Sequence, residues 1–556
     1  MRRHIGDIGI ALLLVISTAL VFGRVLGHQF VAWDDDTLLY ANPHLTGLNA
    51  ATVRWAFTGF DYVVRYQPLT WLSWAAIYEV SGRNPFGYHL ASLVAHSLNA
   101  VLVFLLVGRL MQAALGQGSP VSQAWLRLVA GGAAALWAVH PLRVELVAWA
   151  SAFLHEQALL FLLVSALAYI GAAQAQAQRR RWLYWGAVCA YGLSLFSYPI
   201  GLGYVAGLVA LDVYPLRRLG SRPGGWTDAP ARWVWLEKVP FAVLAGLCLG
   251  ITIWARLHVQ GGWPQAPSLA EFSLAQRLMQ ACYVWAYYVW RPWVPFGLAP
   301  VYTSLLQVRP GDAVFVQSAV FLGLVTVLVV TYRRPWPAAL PLWFSYLVLM
   351  VPMLGLTEHP HYANDRYASL AGVLWSIALA AAGLKWCAVG HRRTVALAAA
   401  AVVAVGLGVL SWRQTEVWRD SVTLFEHTLT CLGRHPYRFD LHWRLGRVLT
   451  KQGRLDEAIQ HLETAVQIAP GFAEAQFALG VAFERKGQVP EAIQRYRLAL
   501  QFNPAYAEAY GRLGLLLAAQ GQHTEAIQHL REAIRLDPSL AEARRRLTEL
   551  EAGSRQ

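Results

Sequence analysis

Three adjacent carboxylates, Asp34, Asp35 and Asp36, follow Trp33 only a few residues beyond an apolar run that closes near residue 26. Like charges this close repel one another and resist leaving water, so they need compensation from solvent, a cation or a basic group on a substrate. A carboxylate so placed can take a proton from an attacking hydroxyl, and an acidic pair can hold a divalent cation through its oxygens. Side chains of complementary chemistry recur along the chain at Arg65, Arg143 and Arg366, with His140, Glu145, His155, Glu156, Glu358, His359, His361 and Asp365 among them. Each histidine alone reads more simply as a hydrogen-bonded interface residue, and the triplet alone as a solvated acidic cap. Gathered in one layer, they would supply carboxylate bases and cationic phosphate binders. The cysteines offer no rival chemistry: Cys189, Cys248, Cys282, Cys387 and Cys431 are widely spaced, form no CxxC pair, and suggest neither a disulfide framework nor a zinc site.

Composition dictates what must position these residues. The chain is 56% hydrophobic and only 14% charged, which makes a bilayer its natural solvent. Its net charge of +14 is split into short clusters between apolar runs (Arg2-Arg3, Arg179 to Arg181, Arg217-Arg218, Arg333-Arg334, Arg392-Arg393), a pattern of membrane topology and not of nucleic-acid binding. Crossing the hydrocarbon layer takes roughly 20 apolar residues. Runs near that length are expected at 8–26, 87–110, 126–140, 156–173, 182–197, 199–213, 238–255, 313–331, 337–355, 368–386 and 394–411, about eleven spans in all. The first follows Arg2-Arg3 without a small-x-small cleavage site and reads as an uncleaved anchor.

Placing Arg2-Arg3 in the cytoplasm puts every other Arg cluster there too, provided the aromatic stretch from Met279 to Leu298 does not cross. That stretch, with Trp285, Tyr287, Tyr288, Trp290 and Trp293, is expected to be re-entrant or interfacial. The first loop (27–86), the loops carrying the candidate residues, and the C-terminus then share the extracytoplasmic face. This is the topology of a multi-pass cytoplasmic-membrane protein.

From about Phe439 the composition changes. Pro436, Pro470, Pro504 and Pro538 recur every 34 residues, as do Gly446, Gly480 and Gly514, and Ala458, Ala492 and Ala526. This is the period of tetratricopeptide-repeat (TPR) helix pairs, in which small residues permit close packing and proline ends the second helix. The expected fold is all-α: a polytopic membrane domain (1–412), a connector and half-repeat (413–438), and a TPR solenoid (439–550) of three repeats, 439–472, 473–506 and 507–540, with a capping helix. The default work of such a stack is to hold a protein or peptide in its concave groove.

Several ordered motifs resemble one known family: Trp33 to Asp36 with Asn42-Pro43, Gln67 to Thr70, Asn84 to His89 through His96, His140-Pro141-Leu142-Arg143-Val144-Glu145, Asp212 to Arg218, Glu237 to Pro240, Leu298 to Tyr302, Asp365-Arg366-Tyr367 and Trp418 to Ser421 before the repeats. Together they resemble the bacterial relatives of the transmembrane and tetratricopeptide-repeat containing (TMTC) proteins, which are similar to the protein O-mannosyltransferases of the GT-C superfamily. The resemblance implies a polyisoprenyl-phosphate-linked sugar as donor, no certain cofactor, an external protein acceptor, and Asp34 and Asp35 in the family's acidic-pair positions. Arg366, with Arg65 and Arg143 behind it, would then bind the donor phosphate. Asp36, His140, Glu145, His155, Glu156 and Asp365 would support the external face, and Asp34 and Asp35 would be the ligands of any metal.

The family pattern is interrupted twice. Where bacterial relatives carry Arg-Lys-Asp or Arg-x-Asp, this chain has Ala152-Phe153-Leu154-His155-Glu156, and Ser-Lys is replaced by Ser197-Tyr198-Pro199. Two cations and one carboxylate are thereby missing, with His155 and Glu156 as candidate substitutes, so either the donor differs or activity has been lost. Three readings follow: a lipid-phosphosugar-dependent glycosyltransferase, a non-catalytic membrane-anchored TPR scaffold for envelope complexes, and a transporter, against which the scarcity of charges deep in the apolar runs counts.

Overall fold

The computed structural model describes residues 2–60, 62, 66–116, 118–220, 223–258, 267–357, 359–386 and 390–553, which are mainly helical, with no strand among the described residues. The chain divides into two compact units, Met1–Arg419 and Asp420–Gln556, the break falling inside the stretch read as a connector.

The first unit opens with α1 (Arg2–Phe22), then α2 (Ala50–Thr58) and α3 (Pro68–Ser81) of the long first loop. The body follows as α4 (Pro85–Leu115), α5 (Gln123–Ala138), α6 (Val144–Ala148), α7 (Phe153–Gln174), α8 (Ala177–Ser197), α9 (Tyr204–Val213), α10 (Ala229–Leu236) and α11 (Val239–His258). It is completed by α12 (Leu274–Trp290), α13 (Ala313–Thr331), α14 (Ala339–Leu349), α15 (Ala368–Trp386) and α16 (Gly390–Thr415). Their starts follow local chemistry. The Asn84 side chain accepts the Phe86 N–H just before Pro85 opens α4, Ser122 caps α5 by accepting from Trp125, and Ser273 and Gln276 cap α12 reciprocally.

All eleven expected runs are largely helical. Among the described residues, seven stretches are long and apolar enough to cross a membrane: Ile5–Gly27, Pro85–Leu115, Ala150–Gln174, Ala229–Ala255, Ala313–Thr331, Asp365–Trp386 and His391–Trp418. The runs expected at 199–213 and 337–355 contain helices of only 10 and 11 residues, α9 and α14, too short to cross by themselves. Gly203 explains their close pairing, because a Cβ there would collide with the Val348 carbonyl. Leu20, Val327 and Val402 on α1, α13 and α16 are left exposed, an arrangement that only a bilayer makes favourable, so this unit is the body of a membrane protein.

The core forms where α4, α5, α7, α8 and α15 pack together. Ala100, Ala130, Ala134, Ala138 and Ala158 have no exposed surface and let the backbones approach, with Phe104, Trp137, Leu159 and Tyr191 filling between them. The aromatic stretch behaves differently from the interfacial expectation. Tyr287 and Tyr288 are core residues whose hydroxyls meet Asp365 and the Asn364 carbonyl, and the exposed aromatics, Trp290, Trp293 and Phe296, lie at the end of the stretch. The α12 face that carries the tyrosines is committed to polar partners within the protein, which outweighs the headgroup preference of aromatic rings.

The second unit stacks α17 (Ser421–Leu432), α18 (Arg438–Lys451), α19 (Leu455–Ile468), α20 (Ala473–Lys486), α21 (Val489–Phe502), α22 (Ala507–Ala519), α23 (His523–Leu536) and α24 (Ala541–Gly553). The pairs α18/α19, α20/α21 and α22/α23 are the three repeats. Gly487 closes α20 at a φ of 81°, a left-handed turn that suits glycine. Gly480 has the other task of the repeat glycines, close approach: a Cβ would lie 2.6 Å from the buried Tyr496 ring, whose hydroxyl is tied to Glu484. Gly480→Ala should therefore overpack the α20/α21 contact and destabilise this unit by about 1–3 kcal/mol, measurable as earlier thermal unfolding of the repeats in the full chain.

Candidate functional site

The first loop is fastened to the body by a small core of its own. Leu38, Leu39, Trp71, Trp74 and Tyr88 pack with Ala150 of the turn before α7 and with Phe153 and Leu154 at its start. This packing sets Asp34–Asp36 beside the segment from Glu145 to Ser151.

The acidic neighbours have unequal environments. Asp35 is fully buried; its Oδ2 accepts from Val31 N (2.9 Å), and its Oδ1 accepts from Ser151 N (2.9 Å) and from the Ser151 hydroxyl. Burial pushes its carboxyl up to about 7 against the pull of these three donors, and the Asp34 charge adds to the rise. Asp34 and Asp36 are half-buried, and Asp36 accepts from Thr37 N (3.0 Å). An acidic pair in which burial protects one member and leaves the other accessible can divide its labour, the buried group fixing the loop and the accessible one exchanging protons.

Because the folded pKa of Asp35 lies above its ordinary value of 3.8, the folded state holds this proton where the unfolded chain has released it. Its contribution to stability is therefore greatest below pH 4 and falls as pH rises towards 7. Asp35→Asn should abolish that dependence. Between pH values near 5 and near 8, the wild type should lose about 3 kcal/mol more stability than the variant, measured by unfolding in detergent.

The Glu145 to Ser151 segment also holds Arg366. Its Nη1 pairs with Glu145 Oε1 at 2.5 Å, its backbone N–H reaches Glu145 Oε2 at 3.1 Å, and its guanidinium lies over Trp149 (5.1 Å) and Tyr367 (4.9 Å). Trp149 in turn stacks on Trp418 at 5.8 Å. Ser151, which grips Asp35, is thus two residues from Trp149, which carries Arg366. One short segment positions both the acidic loop and a guanidinium.

The remaining expected residues are placed as follows. Arg65 and Glu358 lie outside the described residues. Arg143 is 2% exposed, donates from Nη2 to the Ala368 carbonyl (2.9 Å) and has the backbone of Gly372 against it, while its Nε and Nη1 meet no hydrogen-bond partner. His140 is buried; its Nδ1 accepts from Leu142 N, and its Nε2 lies 2.9 Å from the Pro292 carbonyl, so it braces a turn. His361 is similarly engaged with the Met353 carbonyl, and His359 stacks on Phe272. Asp365 accepts from Tyr302 (2.7 Å) and Tyr287 (3.0 Å), with Arg291 donating to the Tyr302 hydroxyl (3.2 Å).

Glu156 does not face the loops. It is fully buried against His96 Nδ1 (2.9 Å) and Asn99 Nδ2 (2.5 Å), a polar knot between α4 and the first turn of α7. His96 and Asn99, polar and three residues apart in a long apolar helix, were the signal for it. Ser151, Trp149 and Arg291 carry no such signal, because nothing in their local sequence marks them as partners of residues far along the chain, and the motif that ends in Tyr302 does not show that it meets Asp365. The two departures from the family pattern meet in space: the His155 ring lies edge-on to Tyr198 at 4.5 Å and to Tyr367 at 5.6 Å. An aromatic and imidazole cluster stands where the relatives' charges are expected.

Both Asp35 oxygens are occupied by N–H or O–H donors, and among the described residues no three His, Cys, Asp or Glu side chains come together to hold a metal.

Comparison with known proteins bears on both units. Models of the TPR repeat and the tetratricopeptide repeat match residues 446–487 and 477–541. Protein O-mannosyl-transferase TMTC2 of Mus musculus is 30% identical over 28% of this chain and 17% of its own length. Protein O-mannosyl-transferase Tmtc1 of Drosophila melanogaster is 32% identical over 23% of this chain and 14% of its own. Over these segments the chain is similar to the TMTC proteins. It spans less than a fifth of the length of these two. Among solved structures, MamA 41-end from Desulfovibrio magneticus RS-1 is 26% identical over 24% of this chain and 75% of its own, with a TM-score of 0.20. YrrB, described as a TPR protein with an unusual peptide-binding site, is 24% identical over 27% of this chain and 76% of its own, with a TM-score of 0.21. The chain is thus a membrane protein with a TPR array.

Proposed function

We propose that this TMTC relative is a membrane glycosyltransferase of the GT-C type that moves a mannose-like hexose from a polyisoprenyl-phosphate donor to a Ser or Thr hydroxyl of an external protein presented by the TPR array. The observation that carries the reading is the shared mounting of Asp35 and Arg366 on the segment from Trp149 to Ser151. In the reaction, Asp34 takes the proton of the acceptor hydroxyl as its oxygen bonds to the anomeric carbon, and the bond from that carbon to the phosphate oxygen breaks. The lipid phosphate leaves with the electron pair, and the Arg366 guanidinium, oriented by Glu145, stabilises the charge it gains. Asp35 positions the loop and takes no part in proton transfer. Arg143, walled in by α15, has a structural part. The charge bias of the loops supports a shared extracytoplasmic compartment for the acidic loop and the repeats.

A second reading, a scaffold without catalysis, draws on the His155, Tyr198 and Tyr367 cluster and on the engagement of Arg366 by Glu145. The test is to compare intact masses of envelope proteins from a host lacking the gene with those from the same host carrying it. Hexose-sized increments that appear only with the gene support the enzyme; identical spectra leave the scaffold.

A further inference from the structure

A second charged cluster lies outside the site described above. Asp212, at the end of α9, is fully buried and accepts from Lys238 Nζ (2.5 Å), the Tyr169 hydroxyl (2.6 Å) and Arg218 Nη1 (3.2 Å). Lys238 neutralises it and donates also to the Val234 carbonyl (3.0 Å). Glu237 bridges two guanidiniums, with Oε2 on Arg218 Nη2 at 2.5 Å and Oε1 on Arg180. One carboxylate thus serves two arginines, and the cluster keeps an excess positive charge.

Beside this bridge opens a cleft of about 670 Å³, with Arg180, Arg218 and Glu237 on its polar side and Trp233, Val234 and Leu236 of α10 on its apolar side. The Arg180 side chain is 49% exposed, and of its five N–H donors one is directed at Glu237, which leaves others for a ligand. Trp233 and Leu236 are also exposed, and α10 continues into the apolar stretch that ends at Ala255, long enough to cross a membrane. Arg179, Arg181, Arg217 and Arg232 flank the cleft in sequence and add to the local positive potential. Exposed tryptophan and leucine are unfavourable against water but suit lipid chains, and guanidiniums match phosphate oxygens through paired N–H groups. We infer that this cleft binds the phosphate headgroup of an anionic membrane lipid, whose acyl chains lie along Trp233 and Leu236. The inference is independent of sugar transfer.

Native mass spectrometry of the full chain in neutral detergent tests it, with phosphatidylglycerol and phosphatidylcholine as probes and inorganic phosphate as competitor. The wild type should retain phosphatidylglycerol at collision energies that strip phosphatidylcholine. Arg180→Gln should weaken retention about tenfold, the loss of a charge-assisted contact. Glu237→Gln should strengthen it by about threefold, because the guanidiniums lose their internal anion; a merely structural role would not give opposite signs. Arg54→Gln, an exposed change on α2, should have no effect. Equal retention of phosphatidylglycerol in the wild type, Arg180→Gln and Glu237→Gln, or no preference over phosphatidylcholine, would overturn the site. Full displacement by excess inorganic phosphate would overturn the lipid as its ligand.

Discussion

Asp34→Asn should lower sugar transfer by about 10²–10⁴-fold, the usual contribution of a positioned general base, and leave envelope proteins without hexose-sized mass increments. The amide keeps the shape of the half-buried side chain but cannot accept the acceptor's proton. Asp35 and its three donors are untouched, so the loop should stay in place and thermal unfolding should match the wild type. Retained increments with Asp34→Asn would remove Asp34 from the chemistry, and with it the mechanism proposed above.

Arg366→Gln should cost transfer about 10²–10³-fold, the range seen when one donor to a developing charge is lost. It should also destabilise the membrane unit by about 3–5 kcal/mol, because Glu145, 4% exposed, would keep a buried charge without a counter-ion. The two effects can be separated. Glu145→Gln combined with Arg366→Gln removes both charges and should recover much of the stability, yet transfer should stay low. Recovery of transfer in the double variant, measured with purified protein and polyisoprenyl-phosphate-mannose, would assign Arg366 to structure alone.

The sequence by itself determined the architecture. A membrane helix is written in about 20 contiguous residues and a TPR pair in a 34-residue period, so both are local properties that one stretch of chain carries entire. For the same reason the glycines at 446, 480 and 514 were readable as close contacts before their neighbours Leu462, Tyr496 and Leu530 were seen. The acidic triplet was legible too, since three carboxylates in a row stand out at any fold. Its inequality was not. Whether Asp34 or Asp35 meets water depends on Val31 and on Ser151, 116 residues away, and burial is a property of packing. Arg143 and Arg366 are alike in type and both stand just before a helix, α6 and α15, yet one is sealed beneath Gly372 and the other braced on Glu145 and Trp149. Tertiary structure alone decided between them, because side-chain chemistry is fixed by the residue whereas its partners and solvent exposure are fixed by segments that only folding brings together.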